Sequence, residues 1–149
     1  MILIRNRVKK IKINAHKLRA MIHAMLTVLG YETFDIGILL TTNVTIRKFN
    51  RDFRFKDQPT DILSFPFYPD LKPGQRIEAT TGEDENLGDI IISLEYVKEK
   101  ASEWNRTFDE HLKVLLAHGI AHLLNYDHQT DQDFKMMTKI EKKLLRALE

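Results

Sequence analysis

The sequence predicts an α+β fold: a small mixed four-stranded sheet packed with helices. Two observations carry this. Apolar residues recur at spacing two or in short β-branched runs in four segments, and at helical spacing in five others. No composition shift, internal repeat or Pro/Gly-rich linker divides the chain, so residues 1–149 are expected to form one domain around one core.

The elements follow in order. Ile2 and Ile4, then Ile11 and Ile13, recur at spacing two and read as strand. The basic N-terminal stretch is therefore expected to belong to the fold and not to a targeting segment. Ala15 to Leu29 carries Leu18, Met21, Ile22, Met25, Leu26 and Leu29 at helical spacing, with Asn14 as N-cap and Gly30 as stop. Phe34 to Leu40 is a run suited to a buried strand. Asn43 can cap a helix through Phe53, with Ile46, Phe49 and Phe53 on one face, and Pro59 closes that unit. Asp61 to Phe67 reads as a third strand. The stretch from Pro69 to Asn86 is rich in Pro, Gly, Thr and acids, and reads as a long surface loop, mobile or functional. Leu87 to Ile92 is a fourth strand, and Ser93 caps a helix reaching Trp104. Helices over Phe108–Leu124 and Asp131–Leu148 complete the chain.

Composition narrows the function classes. Cysteine is absent, which excludes disulfides, thiolate metal sites and a cysteine nucleophile. No apolar run approaches the roughly 20 residues that span a bilayer, so no membrane partner is expected. A cytoplasmic setting is the expectation, or an organelle matrix in a eukaryotic source. The net charge of +2 is unevenly spread. Residues 1–56 hold 12 Lys/Arg against 3 Asp/Glu, a balance of +9, and the remainder holds 11 against 18, or −7. A basic front half suits a polyanionic partner, although solvated surface produces the same bias.

The informative segment is His118-Gly-Ile-Ala-His122-Leu-Leu-Asn-Tyr-Asp-His128. Two histidines four apart on a helix stand about 6 Å apart along its axis on nearly one face, and can share a cation. In a continuing helix His128 would lie about 9 Å beyond His122 and off that face. It reaches the same ion only if the helix ends and the chain turns back. Asn125 stands where that turn is needed and tolerates the left-handed conformation. The spacing thus predicts a zinc (Zn2+) site at the end of the helix, with His118, His122 and His128 as ligands. Three imidazoles leave a position open, the mark of a catalytic centre and not of a closed structural one. Zinc peptidases place a glutamate after the first histidine. Gly119 occupies that position here, which argues against peptide hydrolysis and suggests extra room beside the metal.

Two further segments have open readings. Arg54 precedes Pro59-Thr-Asp-Ile-Leu-Ser-Phe-Pro66, where Ser64 is unusual in an apolar strand. Arg54 could place its guanidinium fork on a phosphate, or could be solvated with Lys56 while Asp57 and Asp61 cap turns. In Leu87-Gly-Asp-Ile90, a glycine inside a strand hints at close backbone approach. Asp89 could orient a metal-bound imidazole, or could be an edge-strand charge.

Together these three segments resemble the YbeY family, the rRNA maturation factors described as single-strand-specific endoribonucleases. The family pattern is an Arg followed by P-T-[DN]-V-L-S-F-P, then L-G-D-I, then H-G-x-L-H-L-x-G-[YF]-D-H. It is matched here by Arg54 with Pro59 to Pro66, by Leu87 to Ile90 and by His118 to His128. Asn125 stands for the family's usual glycine, Ile62 for valine and Ala121 for leucine. The resemblance implies zinc on His118, His122 and His128, and Arg54 as the catalytic, phosphate-facing residue. It also implies action on single-stranded rRNA precursors at small-subunit rRNA 3′ ends, a part in ribosome quality control, and contact with the ribosome or small-subunit proteins. No residue is a clear general base, and Asp127 is one candidate. Two other readings are a ribosome-assembly factor with a structural zinc, and a metallohydrolase acting on a non-nucleic substrate such as an amide.

Overall fold

Nine strands and helices follow one another in the computed structural model, which describes residues 1–149. They are β1 (Ile2–Asn6), α1 (Ala15–Leu29), β2 (Asp35–Thr41), α2 (Asn43–Arg54), β3 (Ile62–Pro66), β4 (Asn86–Ser93), α3 (Leu94–Glu103), α4 (Phe108–Leu123) and α5 (Asp131–Arg146). The sheet order is β1-β2-β4-β3. β1, β2 and β4 are parallel neighbours, while β3 runs antiparallel to β4 and forms an edge. The sheet is therefore mixed and four-stranded, as the sequence predicts. Parallel pairing requires crossovers long enough to hold a helix, and α1 and α2 lie in those connections.

Alternation sorts the strands' side chains between two faces. Ile36, Ile38 and Leu40 of β2, with Ile90 and Ile92 of β4, join Leu18, Ile22 and Met25 of α1 and Leu116 and Ile120 of α4 in the main core. The opposite face carries a small cluster of Ile46, Leu63 and Ile91, flanked by Leu39, Phe49 and Phe65. Only α2 packs there, and part of that face stays open. No helix is long and apolar enough to cross a membrane.

α4 is the central helix. Its C-terminal half buries Leu115, Leu116, Ala117, Gly119, Ile120, Ala121 and Leu123. A helix apolar nearly all round must be surrounded, and α4 packs against α3, α5, β3 and β4. Its histidines escape burial only at the C-terminal end.

Three expectations need correction. β1 ends at Asn6, so Ile11 and Ile13 are not strand. The last link to β2 is the Arg7 amide on the Leu40 carbonyl at 2.9 Å, and Val8 N–H turns to Asn6 Oδ1. Ile11 and Ile13 still pack on the core, which explains their pattern without a ladder. Thr42, not Asn43, caps α2, accepting from Thr45 N–H. Asn43 instead accepts the Ser93 hydroxyl at 2.7 Å. The 69–86 segment is also more firmly held than its composition suggests. Ile77 is buried, and its amide donates to Tyr31 Oη at 3.0 Å. Arg76 donates to the Leu29 carbonyl at 2.6 Å and covers the Tyr31 ring at 4.1 Å.

Candidate metal centre

The end of α4 is built by a left-handed cap. The Asn125 amide bonds to the His122 carbonyl at 2.9 Å, and the Tyr126 amide to the Ala121 carbonyl at 3.1 Å. This nested pair is the Schellman arrangement, which needs a left-handed residue just past the helix. Asn125 supplies it with φ 64°. Its side-chain amide then donates to the Tyr68 and Leu71 carbonyls at 2.7 and 2.8 Å. The 69–86 segment thus buttresses the turn that carries His128. Glycine could adopt the backbone but could not make these two bonds. Asp127 Oδ1 accepts the His128 amide at 2.8 Å and fixes the next step of the turn.

This reversal brings the three histidines together. His118 Nε2 and His122 Nε2 lie 3.0 Å apart, and one ligand atom from each of His118, His122 and His128 falls within 4.8 Å of the others. Tetrahedral nitrogens about 2.1 Å from zinc would stand about 3.4 Å apart, so the constellation can hold a metal ion with modest side-chain adjustment. Glu141 Oε2 faces His118 Nδ1 at 3.4 Å. A carboxylate there favours a proton on Nδ1 and leaves the Nε2 lone pair toward the site. No sequence pattern points to this residue: Glu141 lies on α5, and only the packing of α5 on α4 delivers it. Glu141→Gln is expected to weaken zinc affinity by about 10–100-fold, the usual effect of losing such a partner, measured by competition with a chromogenic chelator.

Burial is the main reason the His122 imidazole is pushed down to about 4 from 6.5; the neighbouring His118 and His128 add to this, and Asp127 opposes it. A neutral imidazole is the form that binds metal. The shift also makes apo-protein stability depend on pH. Below 6.5 the unfolded chain takes up a proton that the folded His122 refuses until about 4. Stability from this group is complete above 6.5 and is lost as pH falls toward 4. Thermal melts in chelator should show a lower Tm at the acid end of that window, and His122→Ala should flatten the trend.

The histidines open into a cleft of about 660 Å³, shared with Phe53 and Arg54 of α2, residues 60–66 of the edge strand and its approach, and Asn125 to Asp127. Arg54 is exposed and makes no hydrogen bond or ion pair. Its two α2 companions are engaged: Arg47 with Asp57 at 2.9 Å and Arg51 with Asp52 at 3.0 Å. Asp57 and Asp61 serve locally, Asp61 Oδ1 accepting the Ile62 amide at 2.7 Å. Arg54 lines the same cleft as the three histidines, and its exposed guanidinium has no partner.

The chain matches the family model described as Endoribonuclease YbeY over residues 3–149. It belongs to the YbeY family. A human protein named Endoribonuclease YbeY is 37% identical over 147 residues, covering 99% of this chain and 87% of the human one. A Sulfurihydrogenibium protein of the same name is 38% identical over 148 residues, covering 99% and 91%. The solution structure of a Thermotoga maritima protein shares the fold, with a TM-score of 0.58 at 24% identity over 97% of this chain and 89% of that one.

Two of the three YbeY motifs meet in the cleft, and the third does not. Leu87 to Ile90 lies on β4, where Gly88 passes beneath β3. A Cβ there would stand 2.1 Å from the Phe65 carbonyl oxygen, which bears out the close-approach reading. Asp89 points to the sheet's other face, over Gly37, so it does not orient a metal ligand. The carboxylate that faces a clustered histidine is Glu141, on His118 Nδ1. The reading of Gly119 also needs correction. A Cβ at Gly119 would meet Ile62 Cδ1 at 2.7 Å and Ile90 Cδ1 at 3.1 Å, so the glycine seats α4 on the sheet and opens no room beside the metal. Ser64 is explained by the same contact, donating to the Gly119 carbonyl at 3.2 Å.

Proposed function

We propose that this YbeY-family nuclease is a zinc-dependent endoribonuclease that cleaves single-stranded RNA, with rRNA precursor ends as its substrate. The observation that carries the reading is one cleft holding three convergent imidazoles and an unpaired arginine. His118, His122 and His128 would hold the zinc, which supplies Lewis-acid chemistry at a phosphoryl oxygen when bound. The chain's own residues do the rest. Arg54 binds a non-bridging phosphate oxygen through its planar fork and stabilises the charge that develops there. Glu141 holds His118 in the ligating tautomer. Burial keeps His122 neutral, and the Asn125 turn sets the position of His128. Asp127 and Asp61 both line the cleft; each has one oxygen on the next residue's amide and a second oxygen available to accept a proton.

The cluster contains three ligating side chains and no fourth, which favours a catalytic over a structural zinc and so disfavours the assembly-factor reading. Gly119 leaves no glutamate to act as base on an amide. A place in small-subunit rRNA 3′-end maturation and ribosome quality control, with ribosomal proteins as partners in the cytoplasm or an organelle matrix, belongs to the same proposal.

Arg54→Ala tests it. Loss of one fixed donor to a transition state costs about 10²–10³-fold in kcat. Because Arg54 is exposed and unpaired, zinc content and Tm should be unchanged while cleavage of labelled single-stranded RNA falls by that factor. Full activity in the variant would remove Arg54 from the mechanism.

A further inference from the structure

A second concavity of similar size lies beside the cleft. On the open face of the sheet lies a groove of about 700 Å³, lined by Leu3, Arg5 and Arg7 of the N-terminal segment, Phe49 and Phe53 of α2, Phe65 of β3 and Asp89 of β4. Phe53 and Phe65 line both this groove and the metal cleft, so the two are continuous across a shared aromatic rim. The Phe49 and Phe53 rings are stacked with centroids 6.1 Å apart, and Phe53 meets Phe65 edge-on at 5.4 Å. Phe53 is 62% exposed, and Leu3 is 50% exposed. Large apolar groups left this open mark a contact surface. The side chains of Arg5, Arg7 and Asp89 make no hydrogen bond or ion pair, although all three line the same groove.

We propose that this groove is a second subsite for single-stranded RNA, holding the nucleotides that flank the bond placed in the metal cleft. The proposal rests on the endoribonuclease reading and extends it. Cationic side chains over an aromatic floor are the combination that binds single strands: arginines take phosphates and exposed rings stack bases. Arg5 and Arg7 take the backbone, Phe53 stacks a base at the shared rim, and the positive charge of the chain's front half acquires a location. Asp89 repels phosphate, so it faces the bases and accepts from a base N–H. That favours bases with paired donors, such as guanine, over uracil.

The test is binding, measured in chelator by fluorescence anisotropy so that cleavage does not intervene. The ligand is a fluorescein-labelled single-stranded RNA of about twelve nucleotides and mixed sequence, a length in the usual range for one such site. The Arg5→Ala/Arg7→Ala protein should bind at least about tenfold more weakly, and its slope of log affinity against log salt should be shallower by about 1.4, two single-strand phosphate contacts. Arg5→Lys/Arg7→Lys should recover most of the affinity, which excludes a folding defect. Cleavage of a trinucleotide, which reaches only the metal cleft, should stay within about twofold of wild type in the zinc-loaded variant. Asp89→Asn should weaken the mixed-sequence RNA more than an oligouridylate of equal length. Wild-type affinity and salt slope in the alanine variant, with wild-type cleavage intact, would overturn this inference alone and leave the groove to a protein segment. Absence of RNA binding by the wild type would overturn both readings.

Discussion

Replacing His122 with alanine is expected to remove zinc and RNA cleavage together. His122 Nε2 is 3.0 Å from His118 Nε2, and its loss leaves two ligands where three converge. Changing a residue that only touches a ligand costs about 10–100-fold in metal affinity, so deleting a ligand should exceed about 100-fold. The fold should survive, because alanine is the best helix former and His122 is only half-buried near the end of α4. Zinc per chain, measured by plasma mass spectrometry after gel filtration, should fall close to zero, and cleavage should fall to background. Identical preparation of the two proteins also controls for contaminating nucleases. Zinc retained at one per chain would mean a different ligand set. Zinc lost with cleavage unchanged would mean that the metal is not needed.

Gly88→Ala is expected to be the most destabilising single-methyl change in the protein. Gly88 has φ 118°, a conformation that L side chains rarely adopt. An added Cβ would stand 2.1 Å from the Phe65 carbonyl oxygen and 2.9 Å from the Phe67 amide nitrogen. Both neighbours are backbone, so no rotamer change relieves the clash. The site is also where β4 slips register: Asp35 pairs with Asn86 and Ile36 with Gly88, leaving Leu87 bulged. Strained backbone costs about 1–3 kcal/mol and overpacking a similar amount, which gives about 3 kcal/mol or more. In a chain of this size that is a fall in Tm of roughly 10 °C. Gly82→Ala is the control, since nothing lies within 4 Å of its Cβ position and its φ is ordinary. Equal melting temperatures for the two variants would refute the account of Gly88.

The two variants separate what Gly88 and His122 do. One shapes the edge strand that walls the cleft, and the other belongs to the histidine cluster proposed to hold the zinc. Gly88→Ala protein that still folds should keep its zinc, because the ligands sit on α4 and the turn after it, away from the bulge.

Much of this was legible in the sequence, for a local reason. The three histidines, the helix between the first two and the left-handed turn at Asn125 lie within eleven residues, so ligand geometry follows from helix rise and one cap. Helix and strand positions followed from apolar periodicity, which reports burial on one face. The same logic misled at Ile11 and Ile13, which are apolar because they pack on the core and yet have no strand to pair with.

Tertiary structure decided everything that depends on which elements meet. Glu141 stands behind His118 only because α5 packs on α4. Gly119 is glycine because Ile62 and Ile90 press against α4 from two strands distant in sequence. Asp89 faces away from the histidines because the bulge at Leu87 and the pleat of β4 set its side, and alternation inverts with a single residue's slip. Strand order likewise made β3 an edge beside the histidines and left the far face of the sheet open. The sequence by itself determined which three histidines converge and the fold class, since both are written in short-range spacing. The shape of the cleft and the groove joined to it arise from long-range contacts, which no local pattern encodes.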